Sequence, residues 1–374
     1  MYLPNPTIQS ILAAITTLEL DSNEVVIFLF GEQTVINYTG LIDELNKKEI
    51  AFFGAFFPGI IYNDQNFDKG VVLVRYRLGK PIEIIQDLST LSEQTLFSED
   101  KILDYQEEEQ ESTIFVLVDG LSPYIADFLA DLYNSLGNSV NYIGGGGGSL
   151  SLEQKPCLIT SEGMLKDAGI ICCIDAPVSL GVQHGWKELE GPIIATKTYK
   201  NIIYELNWKN AFEVYKSIVD KDSSQSIEAD NFFGIAKGYP FGIRMEGQED
   251  IVRDPIAVGE DGELICVGEI ESHSVLNILK GQADNLIKSA QIAASESILG
   301  ARNKPNQIFT VDCISRVLFL EDKFEEELKS ITNIIQENTP DLVLTGILSL
   351  GEISSDGEGP LYFFNKTIVI GTFN

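Results

Sequence analysis

The sequence predicts a mixed α/β fold in two halves, each with a mixed β-sheet flanked by helices. A weak repeat recurs three times, from Val25, Thr113 and Gln307, as an apolar strand, a polar or glycine turn, an amphipathic helix and a strand ending in glycine. Past the middle of the chain, predicted strands dominate instead. Strands alternating with helices indicate a sheet covered by helices. We therefore predict one α/β domain at residues 20–190 and a second at 191–374.

Several elements follow from local patterns. Ser122-Pro123 is typical of a helix start, and apolar residues from Ile125 to Leu136 then recur at helical spacing. Further helices are predicted at Leu276–Leu299 and from Phe324 to Ile335, and a hairpin is predicted around Gly79-Lys80. The acid-rich segment Glu99–Glu111 predicts a solvated linker or an exposed helix.

Charge excludes some classes of partner. The 374 residues include 26 Lys+Arg and 56 Asp+Glu, which gives a formal net charge of −30. Such an excess of negative charge provides no general attraction for a phosphate backbone or an anionic lipid surface. We therefore expect neither nucleic-acid binding nor membrane attachment.

Targeting and metal signals are also missing from the sequence. No Lys or Arg precedes Lys47, so a cationic signal-peptide region is not expected, and the apolar stretch Ala51–Tyr62 is too short for a membrane helix. The five cysteines form no CxxC, and Cys172-Cys173 lies in an apolar run typical of a buried strand. With only two histidines, far apart, no zinc site is predicted. These features favour a cytoplasmic protein without disulfides, metal or membrane insertion.

Five consecutive glycines, Gly144–Gly148, follow a predicted strand. No Lys-Ser/Thr pair comes after them, so they do not form a P-loop. Two interpretations remain open: a flexible loop, or a loop whose amide groups face a ligand, with Gly145 and Gly146 as candidates.

A few charged residues stand in apolar surroundings. Asp312 and Arg316 lie four residues apart, Arg253 is found in VRDP, and Glu352 is found in LGEI. A guanidinium offers a planar fork to a carboxylate, and an acid accepts from an ammonium. This combination suits an amino acid or a similar zwitterion, although a structural ion pair is the alternative.

His184 lies between Val-Gln and Gly-Trp in GVQHGW. Its flanking glycine allows a tight turn that would direct the imidazole into a cavity beside Trp186. Three roles remain open: a structural hydrogen-bonding residue, a general base that needs a carboxylate partner, or an axial haem ligand in an apolar pocket. Haem is thus the one cofactor for which the sequence leaves room.

The order of these motifs resembles the FIST (F-box and intracellular signal transduction) sensor family. GVQHGWKELEGP, IVRDP, DCISRVLFL, LGEI and FFNKTIVIG follow one another as in the C-terminal half of that family and its junction. The strand–helix–strand ending in FFGAFFPG and the GGGGGS segment resemble its N-terminal half. The resemblance covers roughly residues 25–371.

The resemblance implies a fold of two FIST halves and a ligand-sensing role, with small molecules such as amino acids as ligands and with haem and nitric oxide in one subgroup. By motif position, it assigns ligand contacts to His184, Trp186, Arg253, Asp312, Arg316, Glu352, Asn365 and Thr367. The first glycine motif of the family is polar, whereas Gly54 here has phenylalanines on both sides, which makes a pocket at Gly54 more apolar.

Our leading hypothesis is a non-enzymatic cytoplasmic sensor that binds an amino acid or similar metabolite in a cleft between the halves. Because no output domain follows in this sequence, we expect it to signal through a protein partner or by oligomerisation. The alternatives are a haem-binding nitric-oxide sensor using His184, and a hydrolase or transferase with His184 as general base.

Overall fold

Three six-stranded sheets with one common strand pattern form the body of the protein. A computed structural model describes residues 1–93, 96–106, 112–245, 250–355 and 360–374. In each of the three sheets a parallel strand pair lies near the centre, and every other pairing is antiparallel. Helices cover the sheets, so the predicted mixed α/β class is confirmed.

Each repeat of the chain supplies an edge strand, a strand–helix–strand unit, a hairpin and a return strand. The first repeat comprises β1 (Tyr2–Leu3), α1 (Ile8–Leu18), β2 (Glu24–Gly31), α2 (Tyr38–Lys47), β3 (Ala51–Phe57), β4 (Gly59–Tyr62), β5 (Gln65–Phe67) and β6 (Val71–Arg77). The second comprises β7 (Glu83–Ile85), α3 (Glu99–Gln106), β8 (Thr113–Asp119), α4 (Ile125–Leu136), β9 (Asn141–Gly147), β10 (Leu158–Thr160), β11 (Gly163–Leu165) and β12 (Gly169–Ile174).

The third repeat begins at β13 (Val178–Gln183) and is interrupted by a long insertion before its helix. It continues with α7 (Ala283–Leu299), β21 (Gln307–Cys313), α8 (Ile314–Leu320), α9 (Phe324–Asn338), β22 (Leu344–Ser349), β23 (Glu352–Ser354), β24 (Tyr362–Phe364) and β25 (Ile368–Phe373). The three strand–helix–strand units predicted from the sequence are thus present, and each forms one parallel pair.

The hairpin of each repeat joins the sheet of another repeat. Hairpin β4–β5 pairs with β22, β10–β11 pairs with β3, and β23–β24 pairs with β9. The exchange is cyclic and gives the three sheets identical strand patterns. Strands from both sides of residue 190 therefore share two of the three sheets.

The inner faces of the three sheets share one apolar core. Along β2, Val25, Ile27 and Leu29 enter this core, while the alternate residues face the covering helices. The rings of Phe115 and Phe309, from β8 and β21, lie with centroids 5.2 Å apart. Because both faces of these strands are buried, their sequences are continuous apolar runs rather than alternating ones.

One glycine in the second strand of each parallel pair permits close packing. A Cβ on Gly54, Gly144 or Gly346 would lie between 1.8 and 2.3 Å from a carbonyl oxygen of the residue that it pairs with in the neighbouring strand. Glycine is therefore required there by close approach. The prediction that Gly144–Gly148 is a loop is wrong for its first four residues, which belong to the buried strand β9.

The insertion leaves the body after β13 and returns at α7. It comprises β14 (Lys187–Tyr199), β15 (Ile202–Leu206), β16 (Lys209–Asn210), α5 (Ala211–Asp222), α6 (Phe232–Ala236), β17 (Phe241–Ile243), β18 (Ile251–Val258), β19 (Leu264–Val267) and β20 (Val275–Lys280). The long strand β14 pairs with β20 at one end and with β15 at the other, which closes six strands into an antiparallel barrel. The predicted β-rich character of this region is confirmed.

Two local predictions are wrong. The helix predicted at Leu276–Leu299 begins only at Ala283, since the preceding residues form β20. The strands on either side of Gly79-Lys80 belong to different sheets and form no hairpin. In the acidic segment, α3 is helical, and residues 107–111 lie outside the described part of the chain. Over the described residues, no helix has the length and apolarity needed to span a membrane.

Candidate ligand-binding site

A cavity of about 640 Å³ lies between the body and the inserted barrel. The body supplies the segments that follow the parallel strands of the second and third repeats, including Gly120–Ser122 and Cys313–Ser315. The barrel supplies parts of β18 and β19 and the turn at Lys200. Ligands of α/β proteins commonly bind at the carboxyl ends of parallel strands, where these loops meet.

Arg253 of β18 presents its guanidinium to this cavity. Its Nε donates to the carbonyl of Glu269 at 2.9 Å, and its Nη1 donates to the carbonyls of Val252 and Phe363 at 3.0 Å each. Among the described residues, none accepts a hydrogen bond from Nη2. Burial lowers the pKa of Arg253 to about 10, so the side chain stays charged at neutral pH.

Asn365 lines the cavity next to Arg253. Only 2% of Asn365 is exposed, and its Oδ1 has no hydrogen-bond partner within the described chain. A Cβ on Gly268 would lie 2.9 Å from Nε of Arg253 and 3.0 Å from Oδ1 of Asn365, so both groups border this glycine. A guanidinium donor and a buried amide acceptor therefore stand together at one end of the cavity.

Lys200 and Glu269 add opposite charges to the lining. The ammonium of Lys200 lies 4.9 Å from the ring centroid of Tyr124, which holds it near the cavity wall. Burial raises the pKa of the Glu269 carboxyl, whereas Lys200 and Arg253 act in the opposite direction. The lining can therefore neutralise both a carboxylate and an ammonium of one bound molecule.

The rest of the cavity wall is predominantly apolar. Leu350 and Ile125 are buried in it, and Leu150, Leu152 and Phe233 are exposed by 44%, 55% and 38%. Large exposed apolar side chains mark the mouth, while the nearly inaccessible Asn365 marks the deep end. This distribution gives the cavity a polar end and an apolar opening.

Glu352 lies behind the cavity rather than in it. Its carboxyl accepts from Oγ of Ser349 at 2.6 Å and from the backbone N–H of Thr367 at 3.2 Å, and none of its surface is exposed. Burial raises the pKa of Glu352 to about 8. Glu352 and Thr367 therefore fasten the chain between β24 and β25, which carries Asn365.

Arg316 of α8 is the centre of a fully buried ion cluster. It pairs with Asp312 (Nε–Oδ1 3.1 Å) and Glu327, and it donates to the carbonyls of His184 at 2.8 Å and Leu286 at 3.2 Å. His184 lies between β13 of the body and β14, the first strand of the insertion. Leu286 lies near the start of α7, the first element of the body after the insertion. Arg316 thus holds both crossing segments together.

His184 and Trp186 occupy the exit of the insertion. Nδ1 of His184 accepts from the backbone N–H of Trp186 at 2.9 Å, and burial lowers the pKa of His184 to about 4. The indole N–H of Trp186 donates to the carbonyl of Lys366 at 3.0 Å. Neither aromatic residue lines the cavity.

Lys366 links the cavity to this crossing. Lys366 follows Asn365 in the sequence, and its backbone carbonyl accepts the hydrogen bond from the indole N–H of Trp186. Its ammonium donates to the carbonyl of Lys237 at 2.9 Å and lies 3.1 Å from Oδ2 of Asp254, which neighbours Arg253 on β18. One buried lysine therefore contacts the barrel, the crossing and the segment that carries Asn365.

The residues predicted from the sequence fall into five places. Arg253 and Asn365 line the cavity. The others lie in the Glu352–Thr367 pair, in the Asp312–Arg316 ion cluster and at the His184–Trp186 crossing, with Gly54, Gly145 and Gly146 in strands β3 and β9. The Asp312–Arg316 pair exists as predicted from the spacing, although Asp312 belongs to strand β21 and not to the helix that carries Arg316. Of the ligand contacts predicted from the sequence, only those of Arg253 and Asn365 are supported by this cavity.

Sequence reasoning missed several residues of this region. Lys200 and Glu269 line the cavity, and Glu327 and Lys366 are fully buried charges. Lys366 stands in FFNKTIVIG, so it could have been noticed as the one charge between two apolar segments. Glu327 lies in a run of three glutamates. Only its helical spacing of three residues from the apolar Phe324 distinguishes it from the other two. No group of three metal-ligating side chains occurs among the described residues.

Fold and cavity together define an α/β protein of three interlocked repeats with an inserted barrel, and a ligand-sized cavity lies between the barrel and the body. The family profile of the FIST N domain matches residues 25–209, and that of the FIST C domain matches residues 211–355. The chain therefore belongs to the FIST family, whose domains are sensory modules of signal transduction. A comparison with curated proteins found no match.

Proposed function

We propose that this protein is a non-enzymatic cytoplasmic sensor that binds a small zwitterionic metabolite of the amino-acid type in the cavity between body and barrel. The observation that carries the proposal is Arg253, whose Nη2 is left for a ligand beside the unpartnered Oδ1 of Asn365. The guanidinium suits a carboxylate, and Oδ1 with Glu269 suits an ammonium.

The charge of the protein favours a zwitterion over a simple anion. With a net charge of −30, the protein repels anions at long range, whereas a zwitterion has no net charge to repel. Lys200, Arg253 and Glu269 all line the cavity, so charges of both signs are available to the two ends of such a molecule.

Ligand binding would affect how the barrel is held against the body. Arg253 belongs to the barrel and Asn365 to the body, so a ligand that contacts both favours the placement in which they are adjacent. A ligand shifts such an equilibrium only by its difference in affinity for the two placements. The resulting surface would be recognised by a signalling partner.

Neither alternative involving His184 gains support. The side chain lies outside the cavity and its Nδ1 accepts from Trp186, so it is not placed to ligate a haem held there or to act as a base on a bound substrate. The low pKa of His184 follows from burial at the crossing.

A thermal-shift screen tests the proposal. We expect amino acids to raise the melting temperature, and the corresponding amines and amides to have little effect. At 100-fold excess over the dissociation constant, a ligand stabilises the folded state by about 2.7 kcal/mol. A panel of amino acids and small carboxylates that leaves the melting temperature unchanged would refute the proposal.

A further inference from the structure

The size of the cavity is large for a small amino acid. Its volume of about 640 Å³ falls in the middle of the range of roughly 300–1,000 Å³ found for sites that enclose drug-sized ligands. Arg253, Asn365 and Glu269 lie together on one side of the cavity, since Nε of Arg253 donates to the carbonyl of Glu269 and borders the same glycine as Oδ1 of Asn365. A ligand as small as alanine would leave most of the apolar wall in contact with water.

The mouth of the cavity carries apolar surface that the fold leaves uncovered. Leu150 and Leu152 belong to the segment between β9 and β10, and Phe233 belongs to α6 of the insertion. All three are more than one third exposed. Clustered apolar side chains at the rim of a pocket mark a surface that a ligand or partner covers.

The segment bearing the two leucines is held in place. The backbone N–H of Leu150 donates to the carboxylate of Glu32 at 2.7 Å, and Nε2 of Gln154 donates to Asp119 at 2.8 Å. Asp119 is buried and also accepts from the backbone N–H groups of Leu121 and Asp167. Leu150 and Leu152 are therefore presented on an anchored segment at the mouth.

We infer that the ligand is an α-amino acid with a long apolar side chain, whose head group binds Arg253 and Asn365 and whose tail extends between Leu150, Leu152 and Phe233. This inference rests on the proposed function and names the class of ligand for the same site. The tail displaces water from the apolar wall, which is the source of the added affinity.

A series of straight-chain α-amino acids separates the tail from the head group. Isothermal titration calorimetry with alanine, norvaline, norleucine, 2-aminooctanoate and 2-aminodecanoate keeps the head group constant. Burial of one methylene contributes about 0.8 kcal/mol, so we expect about fourfold tighter binding for each methylene added.

Variants at the mouth locate the tail. The double substitution Leu150→Ser and Leu152→Ser is expected to reduce the gain per methylene for the longer members. Leu299→Ser, at a position on α7 that is 81% exposed and does not line the cavity, is the matched control and should keep the wild-type gain.

The outcomes distinguish the inference from the proposed function. If alanine and 2-aminodecanoate bind equally well, the sensor stands and the inference falls. If the gain per methylene survives the double substitution, the tail lies elsewhere and the inference also falls. If no member of the series binds, the proposed function fails together with the inference.

Discussion

The guanidinium of Arg316 donates a hydrogen bond to the backbone carbonyl of His184, 2.8 Å away. This contact joins the helix that borders the cavity to the point where the chain leaves for the inserted barrel. His184 and Arg316 are 132 residues apart and both stand out in the sequence. The contact shows that they stabilise the connection between body and barrel together, and neither lines the cavity.

Loss of Arg316 is expected to destabilise the fold strongly. Arg316→Met leaves Asp312 and Glu327 as buried carboxyls without their cation, and removing one partner of a buried ion pair costs about 3–5 kcal/mol. Urea unfolding measures the change. Arg77→Met, at the exposed last residue of β6, is the control and should stay within about 0.5 kcal/mol of wild type. Equal stabilities of the two variants would contradict the role of Arg316.

Glu352 is expected to make stability depend on pH. Burial raises its pKa from 4.5 to about 8. The folded state therefore holds a proton that the unfolded state releases, so this contribution is fully present below pH 4.5 and is lost as pH rises to 8. The loss is at most about 1.4 kcal/mol per pH unit.

A neutral isostere isolates this effect. In Glu352→Gln the free energy of unfolding should fall less between pH 5 and 8 than in wild type, because the titrating group is gone. Glu326→Gln, at an exposed position of α9, should keep the wild-type pH dependence. Urea titrations at several pH values provide the comparison. A pH slope that Glu352→Gln leaves unchanged would show that Glu352 does not titrate in this range.

Gly268→Ala is expected to block the polar end of the cavity. Its new methyl group would lie 2.9 Å from Nε of Arg253 and 3.0 Å from Oδ1 of Asn365. Ligand affinity should fall at least tenfold in titration calorimetry. Gly137→Ala is the matched control, since Gly137 also has positive φ (61° against 80°) but no atom within 4 Å of its added Cβ. Equal affinities in the two variants would place the ligand elsewhere.

The sequence allowed the repeat units to be predicted but not their arrangement. The apolar run Val25–Gly31 and the helical spacing of apolar residues in Ile125–Leu136 reflect which faces of one strand and one helix are buried. Such patterns can be recognised from residues that are close together in the sequence. The cyclic exchange of hairpins and the closure of the barrel depend on pairings between residues far apart in sequence, such as Ile61 with Gly346. Local patterns carry no information about such pairings.

The candidate site could be predicted only in part, because local patterns do not show which residues the fold brings to the cavity. Arg253 and Asn365 stand in recognisable motifs, whereas Lys200 and Glu269 look like ordinary surface charges and reach the cavity only through the turn at β15 and the end of β19. Buried charges such as Asp312 and Arg316 also stand out in apolar runs. The sequence therefore cannot separate charges that support the fold from those that face a ligand.

Titration calorimetry with an amino acid and its carboxamide tests the central proposal most directly. Norleucine and norleucinamide differ only at the group assigned to Arg253, and a charge-assisted hydrogen bond contributes about 1.5–3 kcal/mol, or roughly 10- to 150-fold in affinity. We predict that wild type prefers norleucine by at least tenfold and that Arg253→Lys, which keeps the charge but loses the planar fork, reduces this preference. Equal binding of the two compounds by wild type, or a preference unchanged in Arg253→Lys, would contradict recognition of a carboxylate by Arg253.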